Sequence, residues 1–219
     1  MSHKGSLSMH KRQEFKTDII LIDIINFSTL DASQQLEIIS FLTRSYTKVI
    51  QKILLHSKIS LETLIRGFIP TGDGFFCILN PKYKGYGTLL GLSFNHFSEQ
   101  ISKKYPYFQG VRIAVHTGSL TPFKDILEHE NFIGDGLNDC ARYLEFKDFA
   151  IATVMVSQTA YESFKKFLLI KKEYQKLLQE HEFKRSNAYT FEDKHGNIKK
   201  GYLVWLRKSG IITPPKYKF

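Results

Sequence analysis

Residues 18–26 read DIILIDIIN, a β-branched, apolar run broken from within by one acid, Asp23. The run is long enough for a buried strand and far too short to span a membrane. An unpaired carboxylate inside an apolar strand is costly to bury, so a fold that accepts this strand must give Asp23 a partner or a use. A helix is expected to follow, opening near Ser28-Thr29-Leu30-Asp31 and running through LEIISFLTRSYTKVIQKIL. Leu36, Ile39, Leu42, Tyr46, Val49 and Ile53 recur every three or four positions and define its expected buried face.

The rest of the chain alternates strand and helix patterns. Residues 68–76, FIPTGDGFF, place Asp73-Gly74 between apolar runs, the ordinary signature of a tight hairpin. After a loop with Pro81, Gly85 and Gly87, a helix is expected over 88–104, stopping before Tyr105-Pro106. VRIAVHTG (111–118) reads as a strand ending at Gly118, and GDGLNDCARYLEF (134–146) as a turn feeding a helix. IATVMVS (151–157) reads as a strand, and QTAYESF opens another helix. Residues 168–192 are charged and weakly periodic, an extension suited to pairing, and GYLVWLRK (201–208) is a closing strand. This order gives an α/β or α+β fold, a sandwich with a mixed sheet and flanking helices.

With 219 residues and 42% hydrophobic content, the chain suits a single domain over 16–219 behind a flexible N-terminal segment, 1–15, that lacks the apolar core of a secretory signal. Cys77 and Cys140 lie in apolar or helical patterns without metal-ligand spacing, as buried thiols do in a reducing cytoplasm. From Lys165 onward 14 Lys/Arg face 5 Asp/Glu, so +9 of the net +10 lies there. Such a surface is either merely solvated or attracts polyphosphate or nucleic acid. No recognised nucleic-acid motif accompanies it, so neither a nucleic acid nor a membrane is expected as partner.

Four patterns occur in a fixed order: Asp23-Ile24-Ile25-Asn26-Phe27-Ser28, Thr71-Gly72-Asp73-Gly74, Arg112 to Gly118 (RIAVHTG), and Ile133 to Arg142 (IGDGLNDCAR). Each is loose alone, but the ordered set resembles the class III nucleotidyl cyclases, over roughly residues 18–160. The resemblance implies a ferredoxin-like βαββαβ core and conversion of a nucleoside triphosphate to its 3′,5′-cyclic monophosphate with release of diphosphate. It implies two ions, Mg2+ or Mn2+, held by Asp23, Asp73 and Ile24, because hard cations take carboxylate and carbonyl oxygens. Asn26 to Leu30, with Phe27 and Ser28 as substrate contacts, would offer backbone N–H groups to phosphates, although Ser28 or Asp31 would equally serve as a plain helix cap. Asn138 and Arg142, four residues apart on one helix face, match the pair that orients the ribose and neutralises phosphoryl charge. A basic residue near the last strand should meet the terminal phosphates; Lys194, Lys199 and Lys200 are the candidates, with Lys194 taken for the site. In this family each site is shared between protomers, which implies a head-to-tail homodimer with two equivalent sites.

One departure bears on the substrate. Adenylate and guanylate cyclases read their base with Lys or Glu four residues before the hairpin Asp, and with Asp, Thr or Cys three before the Gly of the fourth pattern. Those positions hold Ile69 and Asn131 here. Ile69 cannot hydrogen-bond a base edge, and a site that leaves base polar groups unpaired loses discrimination. In this respect the chain resembles the bacterial pyrimidine cyclases of antiphage defence, the Pycsar type, which make cyclic UMP or cyclic CMP for a separate effector. Asn131 can address a pyrimidine edge, since its amide both donates and accepts, with Arg66 and Phe68 expected beside it. The other readings are a purine cyclase of relaxed selectivity, an inactive cyclase-like dimerisation or nucleotide-sensing module, and a basic nucleic-acid-binding protein that only the charge favours.

Overall fold

The N-terminal apolar run is the strand around which the sheet is laid. The structure is a computed structural model that describes residues 13–54, 59–146 and 153–208. Most of the segment expected as flexible, and the first two residues of the strand expected over 151–157, lie outside those residues. β1 (Phe15–Ile24) begins one residue ahead of the expected domain start. It pairs antiparallel with both β3 (Gly74–Leu79) and β4 (Val111–Lys124). The remaining strands are β2 (Ile65–Pro70), β5 (Glu130–Ile133), β6 (Val154–Ser157), β7 (Phe183–Arg185), β8 (Tyr189–Glu192) and β9 (Ile198–Leu206). Their order is β2-β3-β1-β4-β6-β9-β7, with β5 on β4 and β8 on β9. The β4–β6 pair is parallel, which makes the sheet mixed.

The helices are α1 (Ala32–Leu54), the single turn α2 (Leu61–Leu64), α3 (Tyr86–Lys104), α4 (Asp135–Leu144), α5 (Gln158–Ile170) and α6 (Lys172–Glu180). The sequence β1-α1-β2-β3-α3-β4, in sheet order β2-β3-β1-β4, is the expected βαββαβ core.

Period-two alternation along β1 builds a core on each face of the sheet. Ile20, Ile22 and Ile24 pack with α1, α3, α5 and α6, whereas Ile19 and Leu21 pack with Cys140, Tyr143 and Leu144 of α4. Ile19, Ile20 and Ile22 are fully buried. Each such side chain contributes about 1.5–3 kcal/mol, which fixes the register, because a one-residue slip would expose them all. The same parity puts Asp23 on the α4 face. Cys77 and Cys140 are both buried and belong to cores on opposite faces, which excludes a disulfide between them.

Several expectations are corrected. Leu36 is 69% exposed, and the buried face of α1 is Ile38, Leu42, Tyr46, Val49, Ile50 and Leu54. Leu36, Ile38 and Ile39 crowd the start of the helix, so the sequence permits more than one stripe, and tertiary packing selects the one through Ile38. The strand expected to end at Gly118 runs on to Lys124. A Cβ at Gly118 would lie 2.7 Å from the Gly136 Cα, so this glycine serves the close approach of α4 to β4 instead of stopping the strand. Residues 168–192 close α5 at Ile170 and form α6, through the buried pair Tyr174 and Leu178, and then β7 and β8, which both pair with β9.

Candidate active site

The hairpin that carries Asp73 turns at Gly72, whose φ of +88° meets the demand of a tight two-residue turn at its first central position. Gly74 has a different task. A Cβ there would lie 1.9 Å from the Ile22 carbonyl oxygen, so only glycine lets the hairpin backbone lie against β1. The result is register: Asp23 stands opposite Gly74, and the Ile24 N–H donates to the Asp73 carbonyl at 2.8 Å. Two carboxylates 50 positions apart in the chain thereby face each other at the end of β1.

On its other side Asp23 stands opposite Arg112 of β4. Arg112 Nε and Nη2 both donate to Asp23 Oδ2, at 2.8 and 2.6 Å. The Asp23 side chain is 13% exposed. Burial pushes its carboxyl above the ordinary value; Arg112 opposes this, and the neighbouring Asp73 carboxylate adds to it. Among the described residues no three His, Cys, Asp or Glu gather as a metal cluster. A carboxylate pair still fits Mg2+, which keeps several waters and takes only one or two protein carboxylates beside substrate phosphates. Ile24 can contribute nothing but its backbone carbonyl, since its side chain is apolar and buried.

The segment expected to cradle phosphates is a separate turn and not the start of α1. Asp31 caps α1 with Gln34: the Gln34 N–H donates to Asp31 Oδ1 at 2.9 Å, and the Asp31 N–H to Gln34 Oε1 at 3.2 Å. Residues 27–29 form a short 3-10 turn behind Asn26, whose φ is +56°. The N–H groups of Thr29 and Leu30 are spent on Asn26 and Phe27 carbonyls. Phe27 is buried in the core and Ser28 is exposed, so the available backbone donors lie at the head of this turn.

α4 carries the second group. Its apolar side, Cys140, Tyr143 and Leu144, is buried on the sheet, which leaves Asn138 exposed and Arg142 partly so. Arg142 Nη1 donates to Asp139 Oδ1 at 3.0 Å, and its Nε lies 3.3 Å from Asp193 Oδ2. Lys199 of β9 reaches Asp139 Oδ1 at 2.7 Å and stands 3.9 Å from Asp193. Asp193, whose side chain is fully buried, accepts from the N–H groups of His195 and Asn197 at 2.9 and 3.0 Å. Burial works against its charge, but those N–H groups, the Asn197 amide and Arg142 hold its carboxyl down to about 2. His116 of β4 stacks on Tyr143 and lies 4.0 Å from Asp139. Burial pushes it down to about 4, against the pull of Asp139, so it is neutral at pH 7.

Of the three candidate lysines, Lys199 is the one beside Arg142. Lys194 is 67% exposed and lies 3.8 Å from Glu145. Asp139 was signalled by its i, i+3 spacing to Arg142, and Asp193 by the turn pattern DKHGN; neither spacing told which cation it would meet. Ile69 packs against the core on the α4 face, whereas Phe68 stacks on Phe75, which belongs to the opposite core. The expected grouping of Arg66 and Phe68 therefore separates. A β-bulge between Ile65 and Gly67 turns Arg66 onto Phe15 and Phe132, where it pairs with Glu130 at 3.1 Å. Asn131 Oδ1 accepts from the Phe132 N–H at 2.8 Å. Among the described residues no hydrogen bond or ion pair links the Asp23–Asp73 group to the Asn138–Arg142 group. A cavity of about 1000 Å³ between α1, α3 and α6 is lined by none of these residues.

No family model matches this sequence, and no curated protein does. Solved structures do. The guanylate cyclase domain of RhGC from Catenaria anguillulae, in complex with GTP, superposes with a TM-score of 0.65 at 16% identity, over 90% of this chain and 100% of that domain. The guanylyl cyclase Cya2 gives 0.58 at 12% identity, over 90% and 95% of the two chains. The adenylyl cyclase CyaB from P. aeruginosa gives 0.57 at 14%, over 90% and 97%. The fold of this chain is thus that of the class III nucleotidyl cyclase catalytic domains.

Proposed function

We propose that the protein is a nucleotidyl cyclase that converts a pyrimidine nucleoside triphosphate, UTP or CTP, to its 3′,5′-cyclic monophosphate and diphosphate. The observation that carries the reading is that one cyclase fold holds two complementary groups, paired carboxylates at the end of β1 and an Asn–Arg–Lys set on α4 and β9. Asp23, Asp73 and the Ile24 carbonyl would hold Mg2+ or Mn2+, which when bound supplies acidification of the ribose 3′-hydroxyl and charge neutralisation of the phosphates.

The chain's own groups do the rest. Asn138, exposed on α4, orients the ribose through an amide that donates and accepts. Arg142 and Lys199 meet the charge that gathers on the phosphoryl oxygens, already fixed in place by their ion pairs. The head of the 27–29 turn offers N–H groups to the triphosphate. The class III resemblance has each site shared between protomers, and among the described residues no hydrogen bond or ion pair joins the two groups. We therefore place the working site between two protomers of a homodimer. A dimeric guanylyl cyclase domain, that of the RhoGC fusion protein from Blastocladiella emersonii, is among the similar folds, with a TM-score of 0.52 at 14% identity.

Pyrimidine choice rests on Ile69 and Asn131 standing where purine cyclases carry their base-reading residues. A role in antiphage defence, with the product acting on a separate effector, rests on the same resemblance. Incubation with ATP, GTP, CTP and UTP in Mn2+, with products separated against cyclic standards, tests both levels. Cyclic UMP or cyclic CMP is expected. Cyclic AMP alone overturns the pyrimidine assignment and favours the relaxed purine cyclase; no product from any nucleotide overturns the cyclase reading.

A further inference from the structure

Asp193 does more than close a turn. It stands between β8 and β9, and its two carboxylate oxygens divide their work. Oδ1 accepts from the backbone N–H groups of His195 and Asn197, at 2.9 and 3.0 Å, and so shapes the turn. Oδ2 faces Arg142 Nε at 3.3 Å and Lys199 Nζ at 3.9 Å. The Asn197 amide bridges both oxygens at 3.3 Å and sets the plane of the carboxylate. The side chain is fully buried, and the turn is locked behind it by Asp193 N–H to Asn197 carbonyl at 3.0 Å and Gly196 N–H to Asp193 carbonyl at 2.9 Å. Asp139 completes the frame by accepting from Arg142 Nη1 and from Lys199. Arg142 is therefore gripped at Nε and Nη1, from a different element in each case.

A turn staple needs only one oxygen, and an asparagine would supply it. The second oxygen, with its charge, adds a buried anchor at Arg142 Nε to the link that Asp139 makes between α4's arginine and β9's lysine. We infer that Asp193 is a positioning residue, which aims Arg142 and Lys199 at the phosphoryl group from a buried anchor in the β8–β9 turn. The inference rests on the cyclase reading for its effect on rate, but not for the geometry.

Asp193→Asn keeps the Oδ1 acceptor and removes the anion. It should lower kcat about 100-fold, the scale of a catalytic group misplaced by about 1 Å, with KM changed by less than about threefold. In an Arg142→Ala/Lys199→Ala background the same substitution should cost nothing more, because Asp193 acts through those two residues. Equal losses in both backgrounds would mean that Asp193 only holds the fold, and would overturn the inference. If Asp193→Asn does not fold, Asn197→Ala keeps the charge but loosens its aim, and should show a smaller loss with the same dependence on Arg142. The Nε–H resonance of Arg142 gives a readout independent of turnover. It should be protected from exchange in the wild type and lose protection in Asp193→Asn. A resonance indifferent to the substitution refutes the inference even if the protein makes no cyclic nucleotide, whereas lost protection without any product would sink only the cyclase reading.

Discussion

The two halves of the candidate site are built on opposite electrostatic terms. At the end of β1, Asp23 and Asp73 face each other with Arg112 as the cation on Asp23, and burial plus mutual repulsion push Asp23 upward. On α4 and β9, two cations meet two carboxylates, and Asp193 is held low, near 2. The first half is left with excess negative charge that a divalent ion would relieve. The second is balanced before any substrate arrives. An acidic corner with excess charge can accept a cation, while a balanced ion network holds its arginine in place; charge counting alone would call both salt bridges.

Substitutions can break this contrast, and the largest effect is expected on the acidic side. Asp73→Ala should bring cyclic product to background, well beyond the roughly 10–100-fold loss typical of groups that only orient a metal ligand. Its exposed position predicts an unchanged melting temperature, and full retained activity would remove it from the metal site. Next is Arg142→Ala, for which steady-state kinetics should show a kcat loss of about 10²–10³, as for other preorganised transition-state donors. Lys199→Ala should cost roughly tenfold in kcat/KM, the value of a charge-assisted contact worth about 1.5 kcal/mol.

The balanced corner also has a pH signature. The Asp193 carboxyl is depressed from its ordinary 3.8 to about 2, so its contribution to stability is present above pH 4 and is lost as pH falls toward 2. Denaturant titrations across that window should show a steeper acid loss for the wild type than for Asp193→Asn, and parallel curves would contradict the assignment. The smallest effect belongs to Lys194→Ala. An exposed pair such as Lys194–Glu145 is worth ~0–1 kcal/mol, so stability should fall by no more than about 1 kcal/mol and kcat should stay within about twofold of wild type. A large loss there would return Lys194 to the phosphate site.

How much of this was legible beforehand depends on distance along the chain. The strand at 18–26, the hairpin at Asp73 and the helix carrying Asn138 and Arg142 were readable because their periods and turn residues are local. The face of α1 was not, because three apolar residues within four positions offered competing stripes. Nor was the full length of β4, because Gly118 looks the same whether it ends a strand or admits a helix. The Arg66 bulge was invisible for a similar reason: it is a property of two strands together.

Asp18 and Asp23 show the division most plainly, since they share one strand and one residue type. Asp18, at the opposite parity, is buried and accepts from Thr117 Oγ1, Gly85 N–H and Gly87 N–H at 2.6, 2.6 and 3.1 Å, a structural anchor for the start of α3. Asp23 faces α4's side of the sheet and the second carboxylate. The sequence by itself determined the strand at 18–26, the hairpin that carries Asp73 and the Asn–Arg spacing on one helix face, because these follow from neighbours within a turn or a hairpin. Only the tertiary structure decided which lysine joins Arg142, which arginine clasps Asp23 and what Asp193 holds. Those contacts span 60 and 89 residues for Asp139–Lys199 and Asp23–Arg112. Pairing at such range is set by strand register and by the burial that enforces it, neither of which leaves a local trace.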